Sequence, residues 1–537
     1  MPRLLPLHAI RRRWAGGLLS AMALVLALGS PWPAQAIDLA DYPLFSTVKV
    51  PGNLALALSV EWPTATTAAY LSTTAYATGS TYIGYFNPEK CYQYVYNSST
   101  PASSYFKPVS AASSHVCSGL WSGNYLNYVS MQTLDEFRWI MTGGYRSTDT
   151  NTATSTSSTN IDTILTKTWS ATGRATASNV PNKTTTLVAG ATPFAWASAT
   201  TRIWALGSRM WITGTGTTID SASSATAYVA QSGSTGASSI YEVYINVAAC
   251  VSAALKEDNC VLYGNTYKPE GLMQQYAMQL RYSAFGYLRH DGDTSQQRDG
   301  GVMRARMNYI GPYKPVPGSS DVVNDGFPEW SAATGIMATN PAASDATDTN
   351  NTFSLAISDS GAMNYLNKFG YSAQNYKSKD PVSELYNTVL RYFKGLSNVS
   401  SYTTGATAAY ADGFPVITKW RKADSSTMGA DPIVYSCQKN FILGIGDVNT
   451  HRDANLYGST LRAGSTLEPT LPSEISADTS VNVATATDMV GTLEGKSGLG
   501  TLYGDTGTFA LPGPFVTGIF APGISAFTIT CMMVLCV

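Results

Sequence analysis

The sequence predicts an α/β fold: an open, mostly parallel sheet with helices on both faces and large β-rich and loop-rich insertions. Two short apolar runs, residues 53–58 and 441–445, lack the alternation of half-exposed strands, as expected of strands buried on both faces. Residues 380–394 are the clearest predicted helix, because their apolar residues recur at helical spacing. A helix followed by a strand is the usual crossover in a parallel sheet, so these elements together predict the α/β class.

The predicted helix over residues 380–394 has recognisable ends. Asp380 is a suitable N-cap, Pro381 suits the first helical position, and Gly395 closes the helix. Its amino end should lie near the carboxyl edge of the sheet, where open α/β sheets bind their ligands.

The first 36 residues predict a signal peptide. A basic cluster at residues 11–13 precedes an apolar stretch at 18–28, which is too short to span a bilayer, and residues 34–36 form a small-residue cleavage site. The mature chain is expected to begin at Ile37. The twin arginines suggest Tat export, but ordinary Sec export is favoured because the rest of the Tat motif is missing.

Composition excludes some classes of function. By length the mature chain holds two to four domains, or one heavily decorated domain. Charged residues make up 13% of the chain and the formal net charge is −1. A nucleic-acid partner or an electrostatic membrane surface would require a basic face, so neither is expected. The abundance of Ser, Thr, Ala, Gly and Tyr is typical of exported bacterial surface proteins.

All seven cysteines lie beyond the cleavage site, in a compartment where disulfides persist. Sequence proximity predicts two disulfides, Cys91 with Cys117 and Cys250 with Cys260. The pairing of three others stays open: Cys437, Cys531 and Cys536. Closing the first loop would stabilise the fold by roughly 3 kcal/mol on the chain-entropy account. The sequence has no CxxC spacing, which argues against a cysteine zinc site.

The middle of the chain combines a predicted helix with a long polar module. Residues 121–124 open a helix whose apolar spacing continues to Gly143-Gly144. From about residue 147 to 250, a Ser/Thr-rich inserted module is expected. Short alternating pieces predict its antiparallel strands at residues 202–212 and 240–247.

Oxygen-bearing side chains are predicted to gather at the carboxyl edge of the sheet. Ser59 and Glu61 follow the first apolar run, Asp447 follows the last one, and Asp380 opens the helix. Hard cations such as Mg²⁺ and Ca²⁺ prefer oxygen ligands. These four residues are therefore the candidate metal ligands.

Three interpretations of this edge stay open. In the favoured one, Asp447 is a loop-capping acid, Glu61 is a solvated side chain and Asp380 is simply an N-cap. The second is an oxygen-only cation site, which Asn449 or Asp453 would complete. The least favoured uses His451, four residues after Asp447, for a His/Asp metal site or for acid/base chemistry.

The element order, an apolar strand with a hydroxyl/acid loop, a capped helix and an apolar strand ending in Asp, resembles a von Willebrand factor A-type domain. Several stretches are also similar, in order, to the amino-terminal region of PilC/PilY-like type IV pilus tip adhesins. They are GYFNPEKC (84–91), WSGNYLNYVSM (121–131), KPEGLMQQYA (268–277), RDGGVMRARMNYIGP (298–312), DPVSELY (380–386) and CQKNFILGIGD (437–447). The resemblance covers roughly residues 37 to 505.

This resemblance implies a non-enzymatic protein of a Gram-negative bacterium, exported through the periplasm to the pilus tip, cell surface or outer membrane. It implies support of pilus biogenesis, adhesion and twitching motility. The implied partners are type IV pilins, minor pilins and a receptor on a host cell or an abiotic surface.

The resemblance also implies a Mg²⁺ site, from which this sequence departs. Typical A-type domains use an Asp-x-Ser-x-Ser loop, a Thr and a further Asp. Here Ser59 replaces the leading Asp, and residues 60–63 supply neither later Ser. Asp380 or Lys379 falls near the Thr position. Asp447 matches well. Bound Mg²⁺ or Ca²⁺ would therefore occupy a degenerate site.

Relatives of this kind continue into a carboxy-terminal β-propeller with a calcium-binding loop, which is expected to be absent here. After Asp505 the sequence has no charged residue, and residues 506–537 form an apolar tail broken by proline and glycine. A frame-shifted or truncated end is favoured over a hydrophobic docking tail.

Two other classes of function remain as alternatives. A secreted hydrolase with an acidic metal site would lack a nucleophile elbow, an HExxH helix or another known catalytic spacing. A structural surface-layer or stalk protein would fit the Ser/Thr-rich composition.

Overall fold

The computed structural model describes most of the chain from residue 50 onward. The described residues are 50–71, 75–171, 176–214, 218–220, 227–228, 236–289, 300–317, 319–446, 455–458, 471–480, 482, 485–486, 489, 493, 501–504, 507–510 and 534–536. The predicted signal peptide lies outside them. Nearly all of the described residues belong to one compact unit within residues 50–316 and 320–537.

The described strands follow one another from Gly52 to Cys536. In chain order they are β1 (Gly52–Leu58), β2 (Lys90–Val95), β3 (Tyr105–Ala111), β4 (Trp121–Ser122), β5 (Arg146–Asp149), β6 (Thr163–Thr166), β7 (Lys183–Thr185), β8 (Ala199–Trp204), β9 (Arg209–Thr213), β10 (Ala227–Tyr228), β11 (Tyr241–Tyr244), β12 (Asn246–Ala248), β13 (Cys260–Tyr263), β14 (Thr266–Pro269), β15 (Leu280–Gly286), β16 (Val302–Asn308), β17 (Tyr313–Pro315), β18 (Val322–Asn324), β19 (Asn440–Ile445), β20 (Thr501–Gly504), β21 (Gly507–Ala510) and β22 (Val534–Cys536).

The described helices are short, and the longest has twelve residues. In chain order they are α1 (Trp62–Thr66), α2 (Gly123–Ser130), α3 (Thr133–Thr142), α4 (Val188–Ala191), α5 (Leu272–Gln275), α6 (Ala343–Phe353), α7 (Ala362–Lys368), α8 (Val382–Phe393), α9 (Ser400–Thr403), α10 (Ala408–Ala411) and α11 (Ser473–Ser476).

The central sheet has the strand order β16-β15-β1-β19-β22. Strand β1 pairs in parallel with β15 and with β19, so that Leu56 lies opposite Ala284 on one side and Leu443 on the other. Both outer strands are antiparallel to their neighbours. The predicted parallel arrangement therefore holds for the three middle strands, and both edges of the sheet depart from it.

Helices cover both faces of the central sheet. The ring of Phe285 on β15 lies 5.7 Å from that of Tyr392 on α8. At the next residue, Gly286, a Cβ would come 1.9 Å from the hydroxyl oxygen of Tyr365 on α7. Because successive strand residues point to opposite faces, α8 and α7 lie on opposite sides. Consecutive residues of β1 are buried, as its unbroken apolar run predicts.

Two further sheets precede residue 250, with the orders β10-β11-β9-β8-β7 and β4-β2-β3-β12-β6-β5. The antiparallel pairs β8/β9 and β9/β11 confirm the strands predicted from alternating residues. Strands β5, β6 and β12 share a sheet with β2 and β3, which come earlier in the chain. The core of this region is rich in tyrosine and includes Tyr76, Tyr82, Tyr85, Tyr92, Tyr94, Tyr125 and Tyr128.

Helix α3 connects this tyrosine-rich core to the core of the central sheet. Leu134 belongs to the central core, whereas Trp139 packs against the tyrosine-rich one. Between them, the fully buried Arg138 donates from Nε to the Leu366 carbonyl (2.8 Å) and from Nη2 to the Phe369 carbonyl (2.9 Å). One helix thus contributes to both cores.

The single helix predicted from residue 121 onward is two helices. Helix α2 ends at Ser130, Met131 is extended with ψ of 142°, and Gln132 is the N-cap of α3. The carboxylate of Asp135 accepts the backbone N–H of Gln132 at 2.9 Å, as in a capping box. The apolar spacing continues across this break, and therefore hides it. Gly143 ends α3 with φ of +80° as predicted.

Helix α8 begins at Val382, and its N-cap position is Pro381 without a side-chain cap. The prediction of Asp380 as N-cap is wrong, because Asp380 precedes the cap position; its backbone carbonyl accepts the N–H of Val382 at 2.8 Å. The predicted end is confirmed. Gly395 has φ of +65°, and the N–H of Leu396 donates to the Arg391 carbonyl at 2.9 Å.

Among the described residues, the strands form open sheets, with no closed barrel or propeller. In the same part of the chain, every helix falls short of the length and apolar character that a membrane span requires.

Candidate functional site

Ser59 lies at the carboxyl end of β1, as the sequence predicts. It is 3% exposed, and its backbone N–H donates to the Ile445 carbonyl at 2.9 Å, which continues the pairing of β1 with β19. Its Oγ lies 3.4 Å from the hydroxyl of Tyr287, the residue after β15. The ends of three parallel strands therefore meet at Ser59.

Glu61 is fully buried, and not the solvated side chain of the favoured interpretation. Its two carboxylate oxygens accept the N–H of Thr64 at 3.0 and 3.2 Å, so it caps the amino end of α1. Its backbone forms a parallel bridge with Lys377, whose carbonyl accepts the N–H of Trp62 at 3.0 Å. This bridge brings the segment before α8 against the end of β1.

Asp380 follows on that segment and is 2% exposed. The structure therefore brings Ser59, Glu61 and Asp380 to the same edge, as predicted. Asp447 lies outside the described residues, and so do the further candidates Asn449, His451 and Asp453.

Gly446, the last described residue before that gap, lies between two elements of the edge. A Cβ at Gly446 would come 2.9 Å from Cγ2 of Val382 and 3.1 Å from Cβ of Ser59. The chain after β19 thus leaves the sheet against the first residue of α8, which confirms that the amino end of this helix lies at the carboxyl edge.

Glu384 is a buried acid at this edge that the sequence reasoning missed. It lies in the first turn of α8 and is fully buried. Its Oε1 accepts the backbone N–H of Asn455 at 2.8 Å, and Oε2 lies 3.4 Å from Nδ2 of Asn455. An acid three residues after Pro381 is the available signal, but the pattern alone does not distinguish a buried anchor from an acid that favours the helix dipole.

A cavity of about 10 Å³, room for about one water molecule, lies beside the edge. It is lined in part by Val60, Tyr287, Arg304 and Asp412. Burial raises the pKa of Asp412 to about 6, although its carboxylate accepts the N–H of Gly370 at 2.5 Å. At this size the cavity cannot hold a peptide or a sugar.

Within the described part of the chain, one group of three potential metal ligands is close enough to share an ion: Cys250, Glu257 and Cys260. The two cysteines form a disulfide, so their sulfurs are not available as thiolates. Glu257 instead pairs with Lys90 at 3.1 Å and accepts the N–H of Cys250 at 2.7 Å. This group is structural.

The structure contains both predicted disulfides, Cys91–Cys117 and Cys250–Cys260. Cys437 is exposed and forms no disulfide. Cys531 lies outside the described residues, and only the backbone of Cys536 is described.

Two regions of the chain match models of known families. Residues 73–223 match a family described as PilY1 homolog, small alpha/beta domain, and residues 292–511 match one described as PilY1 homolog, second domain. No solved structure matches the chain.

Curated relatives extend this likeness. The chain is 38% identical over 482 residues to a type IV pilus biogenesis factor PilY1 homolog of Xylella fastidiosa strain Temecula1, covering 86% of this chain and 37% of that protein. A second match to a protein of the same description and strain is 36% identical over 77 residues, or 14% of this chain and 5% of that protein. The chain thus spans little more than a third of the length of the first relative. Together with the two matched domains, this identity shows that the chain belongs to the family of PilY1 homologs.

Proposed function

We propose that this chain is an exported, pilus-associated protein that supports pilus biogenesis, surface adhesion and twitching motility by binding rather than by catalysis. The observation that carries the proposal is the 38% identity, over 86% of the chain, to a relative described as a type IV pilus biogenesis factor. The proposed partners are type IV pilins, minor pilins and a surface receptor. The proposed location is the pilus tip, cell surface or outer membrane.

We further propose that the central sheet is the core of a von Willebrand factor A-like domain. Three parallel strands in the order β15-β1-β19, with an antiparallel strand outside β15, support it, as do helices on both faces. In such sheets the binding surface lies at the carboxyl ends of the strands. The edge that holds Ser59, Glu61 and Asp380 is therefore the proposed binding surface.

A cation at this edge remains part of the proposal. Ser59, Glu61, Asp380 and Asp447 would hold Mg²⁺ or Ca²⁺ through oxygen atoms. One oxygen of Glu61 can bind a cation while the other keeps the N–H of Thr64. A cation that binds the folded state raises the melting temperature. Purified protein should melt higher with either cation, and Asp447→Ala should lose the shift; an equal shift in both proteins would reject the site.

The pilus association is tested by fractionation. Immunoblots of sheared pili, outer membrane, periplasm and culture supernatant are compared between the parent strain and a strain that lacks the major pilin. Enrichment with sheared pili that disappears without pilin is the expected result. Protein that stays in the periplasm or supernatant in both strains would contradict the proposal, and marker proteins of each compartment control for leakage.

A further inference from the structure

The described chain on either side of residues 447–454 contacts the first turn of the same helix. On the leading side, Gly446 packs against Val382, the first residue of α8. On the returning side, Asn455 is 2% exposed and hydrogen bonds to Glu384, two residues further along α8. The first turn of α8 thus contacts the chain both at Gly446 and at Asn455.

The hydrogen bond between Glu384 and the backbone of Asn455 should be costly to break. The carboxylate is fully buried, and its Oε1 accepts the backbone N–H of Asn455 at 2.8 Å. Leaving a buried N–H without an acceptor carries the full cost of its desolvation. This side chain therefore contributes to holding the backbone at Asn455 in place.

We infer that Glu384 is a positioning residue for the carboxyl edge, because it fixes the chain that returns from β19 against the amino end of α8. This inference rests on the proposed function, in which that edge is the binding surface. Glu384 acts through Asn455, and is not itself assigned to a partner or to a cation.

Hydrogen exchange of the full purified chain, read by mass spectrometry, tests the inference directly. In Glu384→Ala, the amide of Asn455 should exchange at least about tenfold faster, because a hydrogen bond to a buried carboxylate is lost. Glu384→Gln keeps only one oxygen that can accept this N–H, so the exchange rate in this variant should fall between those of the wild type and Glu384→Ala. Asn387→Ala, a half-buried change on the same helix, is the matched control and should leave the rate unchanged.

The pattern of exchange separates positioning from general loss of structure. Peptides from β1 and β15 should keep their wild-type rates in Glu384→Ala. Equal acceleration throughout the chain, or an unchanged rate at Asn455, would overturn the inference. If Glu384→Ala does not fold, Glu384→Gln decides alone, and a wild-type rate at Asn455 in that variant rejects the role.

Co-sedimentation of the same proteins with purified pili distinguishes the two claims. Reduced binding by Glu384→Ala, with Asn387→Ala unaffected, is expected. If wild-type protein does not bind pili, the proposed function fails, while the exchange rate at Asn455 still decides the role of Glu384.

Discussion

Several buried charged residues have identifiable structural roles, and Glu329 is one whose effect depends on pH. Its carboxylate accepts the N–H groups of Ala362 and Met363, at 2.7 and 2.8 Å, at the amino end of α7. Burial nevertheless raises the pKa of Glu329 to about 7. A carboxyl whose pKa is raised on folding contributes stability that is present below its ordinary pKa and is lost as the pH rises through about 7.

We therefore expect Glu329→Gln to weaken the pH dependence of stability. Between about pH 5 and about pH 8, the wild type should lose more stability than the variant, whose amide stays neutral. Urea unfolding across this range measures the difference. Asp412, with a raised pKa of about 6, remains in both proteins and cancels in the comparison. Parallel stability curves would show that Glu329 does not titrate in this way.

Arg138 gives a second prediction for a single residue. Besides its bonds to the Leu366 and Phe369 carbonyls, it donates from Nη1 to Oγ1 of Thr168 at 3.0 Å. Arg138→Met would leave these buried acceptors unsatisfied, at about 1–3 kcal/mol each. We expect a loss of about 3 kcal/mol or more in the free energy of unfolding. Arg421→Met is the control, since a pair that is 39% exposed at its arginine should contribute less than about 1 kcal/mol.

The carboxyl end of helix α8 depends on the left-handed backbone conformation of Gly395. Gly395 has φ of +65°, and a Cβ there would meet no atom within 4 Å. Gly395→Ala should therefore cost about 1 kcal/mol through backbone strain alone. Gly444→Ala is the control: its Cβ also meets open space, but φ is not in the left-handed region, so the change should be neutral or stabilising. Equal effects of the two changes in denaturant unfolding would contradict this explanation.

Elements defined by local pattern could be predicted from the sequence. The apolar runs of β1 and β19 lack alternation because both faces of these strands are covered, and that property is visible in the residues themselves. The end of α8 at Gly395 is equally local. The candidate residues Ser59, Glu61 and Asp380 could be brought to one edge because the carboxyl ends of parallel strands lie together.

What could not be predicted depends on contacts between distant residues. The hydrogen bond between Glu384 and Asn455 joins residues that are 71 apart in the sequence. The break between α2 and α3 depends on the cap at Gln132, whose Nε2 donates to the Thr66 carbonyl at 2.6 Å. Local periodicity carries neither contact. The antiparallel pairing of the two edge strands of the central sheet could not be predicted for the same reason, because local periodicity does not show which strands pair.

At the scale of the whole molecule, the two disulfides should stabilise the region that precedes the central strands β15 and β19. They close loops of 26 and 10 residues, and the Lys90–Glu257 pair joins their surroundings. On the chain-entropy account, each bond is worth about 3 kcal/mol. We expect Cys250→Ser/Cys260→Ser to lose about this amount in denaturant unfolding.

The same double variant should also make the other disulfide easier to reduce, because Glu257 would lose its fixed position beside Lys90. Titration with dithiothreitol followed by thiol counting measures this. The single change Cys437→Ser, at an exposed cysteine without a disulfide, is the control. An unchanged midpoint for Cys91–Cys117 would mean that the two bonds act independently.

Strands that are neighbours in the central sheet are synthesised at very different times. Asn53 on β1 bonds to Asn440 beside it in the sheet, although 387 residues separate them in the chain. At about 5 to 20 residues per second, a ribosome needs about 20 to 80 s to make that interval. During this delay hairpins such as β2/β3 and β8/β9 can already close and β15 can pair with β1, but the β19 side of β1 stays uncovered. We therefore expect newly made protein to bind a chaperone at residues 53–58 until β19 has been made.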